Sequence, residues 1–128
     1  MDFHKSYQEF MHREPDFRVT YRFYTLQEGG RWSPVYQGYK PNFWYFHEDN
    51  HKGLQFMIWP EFENEKGDII MENNIPVPLD GTAKMWIISP DFIDYHKGKI
   101  IIGTKGFFKE GARNIAECEV IELLNIKS

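Results

Sequence analysis

A single cysteine, Cys118, stands among 128 residues, so the chain cannot close an intramolecular disulfide, and a thiolate zinc site would have one sulfur to draw on. It reads as a small apolar core residue in a protein kept reduced. Long apolar runs are also missing. No stretch approaches the ~20 residues of a membrane-crossing helix. The opening MDFHKSYQEFMHREPDF lacks the apolar centre of a secretion signal. These absences imply a soluble cytoplasmic protein with no membrane contact. Basic excess is lacking too: 15 Lys and Arg face 19 Asp and Glu, for a net charge of −4. That balance weighs against broad nucleic-acid binding and leaves room only for a local basic patch. There is no G-x-x-x-x-G-K-[ST] loop to cradle a nucleotide and no G-x-S-x-G nucleophile turn, so no catalytic residue and no cofactor is assigned.

What the chain has in quantity is aromatic side chains, 17% of its residues, which favour pleated sheet. Phe17, Val19, Tyr21 and Phe23 alternate with Arg18, Thr20, Arg22 and Tyr24, the two-residue period of a strand with one buried face. Further strands are expected at Phe43 to Phe46, at Leu54 to Trp59 ahead of Pro60, and at Asp68 to Met71. Others are expected at Thr82 to Ser89 ahead of Pro90, at Lys99 to Thr104, and at Ile115 to Leu124, with turns between them. Before them, Phe3, Tyr7, Phe10 and Met11 fall at helical spacing, which predicts a short helix or turn ended by Pro15. Six or seven short strands with no long helix predict an all-β barrel or sandwich in one domain over 17–128, preceded by an extension over 1–16. The acidic stretch EFENEKGD, 61–68, reads as a solvated loop, with Glu61, Glu63 and Glu65 in water.

One stretch, HEDNH at 47–51, fits H-E-x-x-H, the pattern of a small zinc hydrolase. That chemistry needs a helix, because only there do residues four apart share a face and reach one ion. Asp49, Asn50 and Gly53 favour turns instead, and the flanks are strand-forming, so a hairpin connection is expected. A third protein ligand is needed as well, and nothing in the spacing points to His96 or to a particular carboxylate.

The most specific stretch is EGGRWSPVYQGYKPNFWYF, Glu28 to Phe46. It resembles EGGR-x-x-P-x-x-x-GYRPQF-[YF] of the third, C-terminal domain of translation elongation factor Tu. VPLDGTAKMWIISP, Val77 to Pro90, is similar to the MPGD turn and following strand of that domain, and KEGARNIAECEV, Lys109 to Val120, to its closing REGGRTVGAGVV. The resemblance implies that domain's antiparallel β-barrel, standing without the GTPase domain and the aminoacyl pocket, and hence without a nucleotide. It implies a platform that holds a protein partner, or tRNA or another structured RNA. Carried over residue by residue, Arg31 and Arg113 match the family's arginines. Lys40 stands for the Arg of GYRPQ, Asn42 for its Gln, Lys109 for the Arg of REGG, and Ala112 for the second glycine. Residues 61–73 have no family counterpart. Arg31, Lys40, Lys109 and Arg113 would form a basic patch if the two EG turns are neighbours. Trp32, Tyr36, Tyr39, Trp44 and Trp59 are candidate anchors for a protein partner, with Trp32 and Tyr39 nearest the motif.

Overall fold

The computed structural model of the chain describes residues 3–127. Strand β1, Phe17–Phe23, buries Phe17, Val19, Tyr21 and Phe23, the set its alternation sends to one face. The others are β2 (Asn42–Tyr45), β3 (Ile58–Phe62), β4 (Asp80–Ile87), β5 (Lys105–Glu110) and β6 (Arg113–Leu123). Among the described residues these six strands form one antiparallel sheet in the order β2-β5-β6-β1-β4-β3. The sheet curls until its two ends meet. Phe43 of β2 exchanges both backbone hydrogen bonds with Phe56, two residues ahead of β3, at 3.0 and 2.9 Å. Register shifts at Arg18/Val19 and at Phe108/Lys109 let β6 bend as it pairs with β1 and β5. The fold is thus all-β and barrel-like, and its interior is filled by rings. Phe62 and Phe108 are fully buried and lie 6.3 Å apart edge to face, and Tyr21 packs against both. Cys118 joins this core, and burial pushes its thiol up.

The extension carries α1, Tyr7–Met11, capped by the Ser6 hydroxyl. It stops at His12, which takes a left-handed φ of 56°, and not at Pro15 as expected. The extension lies over the outer face of β3 and β4. Edge strand β3 differs most from expectation. Pro60 does not end it; the strand starts later and runs through Pro60, which faces Met85 across the sheet. Proline is tolerated there because a sheet edge does not need every N–H. Glu61 and Glu63 are consequently not in a solvated loop. Both are buried on the outward face of this strand and its end. Glu61 accepts from His4 Nε2 (2.5 Å), the Tyr7 N–H (3.0 Å) and Trp86 Nε1 (3.2 Å), while Glu63 pairs with Arg18 at 2.8 Å. The expected strand at Asp68 to Met71 shrinks to one bridge, Ile69 with Glu63. The expected strand at Lys99 to Thr104 is absent: Gly98 (φ 85°) and Gly103 (φ 95°) turn the chain on either side of it. Pairing begins instead at Lys105, so Phe107 and Phe108 belong to strand β5.

Candidate functional site

The two EG turns meet at one end of the sheet. Thr25 and Glu28 bond reciprocally: the Thr25 hydroxyl accepts from the Glu28 N–H at 3.3 Å, and Glu28 Oε1 accepts from the Thr25 N–H at 2.8 Å. Gly29 then takes a φ of 96°, and the Gly30 N–H returns to the Thr25 carbonyl at 2.8 Å. The Glu28 carboxylate also grips the Arg22 guanidinium at 3.0 and 3.1 Å. That pair, with the Thr25 N–H, holds Glu28 down at about 2. The result is a turn locked by its own side chains, which delivers Arg31 and Trp32.

Arg31 forms an ion pair with Glu110, the residue before Gly111 in the second turn, and its guanidinium lies 5.0 Å from the centre of the Tyr39 ring. The Tyr39 hydroxyl donates to the same carboxylate. Burial, and then this bond, push the Tyr39 phenol up. Burial alone would raise Glu110, but the bonds from Tyr39 and Arg31 outweigh it and hold the carboxyl below its ordinary range. Glu110 pairs across the β5–β6 turn with Arg113, and Gly111 supplies the left-handed φ of 59°. Ala112 is not among the positive-φ residues, so its side chain brings no left-handed strain to the turn. Asn42 donates to Gln55 at 2.9 Å, and Gln55 reaches the Gly111 carbonyl at 2.6 Å.

Arg31, Tyr39, Asn42, Lys109 and Arg113 therefore gather around the second turn. Their charges are unevenly available. Arg31 is neutralised by Glu110. The Lys109 ammonium is buried and donates to Asn114 at 2.7 Å. Lys40 lies further along, its ammonium bonded to the Gly38 carbonyl and 5.4 Å from the centre of the Trp59 ring. Arg113 is exposed and makes no side-chain hydrogen bond among the described residues.

The aromatic candidates separate clearly. Trp44 is buried, stacked on Phe107 at 6.0 Å, with its indole N–H on the His51 carbonyl. Tyr39 and Trp59 are half-buried, whereas Trp32 is 86% exposed. Beside Trp32 a groove of ≈180 Å³ runs between residues 33–35 and 76–79, floored by Phe23 and Val35. Leu79, 76% exposed, stands on its rim. The sequence reading missed Leu79; its position in the turn-rich PVPLDG was the available signal.

HEDNH is a turn, as its composition predicts. The His47 Nδ1 accepts from the Asp49 N–H at 3.0 Å, and buried Asn50 anchors the segment to the Tyr45 carbonyl and the Tyr95 hydroxyl. The helical face that would set His47 and His51 on one ion is not formed. His96 is fully buried, with Nδ1 2.7 Å from the Tyr45 hydroxyl. Burial, and next the Lys99 charge, lower its imidazole from the ordinary 6.5 to about 4. Between those values the unfolded chain takes up a proton that the folded chain refuses. This group's contribution is complete above pH 6.5 and is lost as pH falls toward 4, by on the order of 3 kcal/mol. The check is the His96 ring resonance, which should stay at its neutral position from about pH 7 to about pH 5.

No helix among the described residues is long and apolar enough to cross a membrane. No protein-family model and no curated protein matches the chain.

Proposed function

We propose that the chain is a non-catalytic cytoplasmic binding module, similar to the C-terminal barrel of elongation factor Tu, that docks on a protein partner through Trp32 and the rim of the adjoining groove. The observation that carries this reading is Trp32 itself, 86% exposed on a turn whose backbone and flanking side chains are already bonded. Large rings at an interface contribute the most when little must be ordered on binding. Leu79 adds a second apolar contact on the same rim.

The test is capture from native cell extract by the purified protein, with and without nuclease. Trp32→Ala is expected to weaken retention of the partner by about 30-fold or more, the effect of truncating an interface anchor. Its thermal stability should stay near that of the parent chain, since the ring is mostly in water. Undiminished capture by Trp32→Ala removes the proposal. The other reading, a structured RNA held by exposed Arg113 and by Lys40, gains from a partner that vanishes with nuclease and from loss of capture in Arg113→Glu. Its weakness is the engagement of Arg31 and Lys109 inside the protein.

A further inference from the structure

Away from the EG turns, a cavity of ≈240 Å³ lies between residues 54–57, the end of β4 and the helical turns from Pro90 to His96. Leu54, Phe56, Ile87 and Phe92 give it apolar walls, and Met57 and Phe92, each more than half exposed, lie at its opening. Three polar side chains border it, Gln55, Ser89 and His96, and the Gln55 amide is already bonded to Asn42 and to the Gly111 carbonyl. The Ser89 hydroxyl caps no backbone group of the turn that follows. His96 is fully buried, and Phe56 stands edge-on to its ring at 4.5 Å. Its Nδ1 is used by the Tyr45 hydroxyl, while Nε2 is buried without any partner among the described residues. Buried polar atoms in native proteins nearly always have a partner, and an orphan marks a place where something is missing.

We propose that this cavity binds a small neutral aromatic alcohol or phenol, whose hydroxyl completes the hydrogen bonding of His96 Nε2. The chemistry follows from the walls and from the imidazole. If the Tyr45 hydroxyl donates to Nδ1, Nε2 carries the ring proton and needs an acceptor. If Nδ1 donates to Tyr45, Nε2 needs a donor. A hydroxyl answers either case, whereas a carbonyl answers only one. Apolar walls and an uncharged imidazole give an anion nothing to pair with, which excludes carboxylates and phosphates. Phe56, Phe92 and the Met57 thioether suit the edges of a ring. An apolar cavity of about 150 Å³ can hold benzene, so this one has room for a substituted ring.

The experiment titrates the intact protein with p-cresol and, in parallel, with toluene, which has the same ring and methyl but no hydroxyl. His96 Nε2 is followed by ¹⁵N NMR, and melting temperature is read alongside. p-Cresol is expected to shift Nε2 saturably, to raise the melting temperature and to bind about fivefold or more tightly than toluene, the discrimination of one buried hydrogen bond. His96→Phe should erase that preference. Met57→Trp, a change at an exposed position that leaves His96 intact, should obstruct entry and weaken both compounds together. Three outcomes overturn the proposal: no saturable binding at millimolar concentration, equal affinity for the two compounds, or p-cresol binding that leaves Nε2 unmoved.

Discussion

Glu61→Ala is expected to lower stability by about 3–5 kcal/mol, the cost of removing one side of a buried, hydrogen-bonded charged cluster. Glu61 is only 1% exposed, and a single carboxylate serves three donors: His4 Nε2, the Tyr7 N–H and the Trp86 indole. Deleting it strands all three in a site closed to water. Two of them, His4 and Tyr7, belong to the extension, and Trp86 belongs to β4, so the lost bonds are ones that join the extension to β3 and β3 to β4. Urea unfolding of the variant measures the loss, and the Trp86 indole proton should become exchangeable. Glu61→Gln keeps the shape and one acceptor oxygen and should cost less than the alanine. If Glu61→Ala unfolds within about 0.5 kcal/mol of the parent, the carboxylate is incidental and the extension is held by its other contacts, such as those of Arg13 and Asp16 with Ile87.

Gly30→Ala is expected to cost about 3 kcal/mol or more, because a Cβ there would overlap the Tyr24 carbonyl oxygen and crowd that of Thr25. Both obstacles are backbone, so no rotamer change relieves the overlap. Gly111→Ala makes the contrast. A Cβ at Gly111 meets nothing within 4 Å, and the penalty is that of a left-handed φ of 59° on a residue with a side chain, about 1–2 kcal/mol. The comparison by urea unfolding separates steric from conformational strain in two turns that look alike in the sequence. Equal losses would show that close approach of the chain at Gly30 is not what the glycine serves.

The limits of sequence reasoning show in particular residues. In β1 the side chains alternate apolar and polar, and period two is a local property, so the strand and its buried face could be read directly. In β3 the same alternation is present, with Ile58, Pro60 and Phe62 inward and Trp59, Glu61 and Glu63 outward, but its outer face is acidic and reads as a loop. A carboxylate there is buried only because its partners come from far along the chain: His4 is 57 residues from Glu61, and Arg18 is 45 from Glu63. Likewise the arginine and lysine of the EG motifs were recognisable as residues. The pairing of Arg31 with Glu110 and the hydrogen bond that ties Lys109 to Asn114 were not, because a side chain is engaged by whatever neighbour the fold brings to it.

By itself the sequence determined the strand-rich architecture, the turn at HEDNH and the core position of Cys118, because these depend on local period, turn chemistry and apolar alternation. Only the tertiary structure decided that Trp32 is open while Trp44 is covered, that the extension is fastened through Glu61, and that His96 borders a cavity with one nitrogen unpaired. Exposure and pairing are properties of neighbours distant in sequence, and no local pattern encodes them.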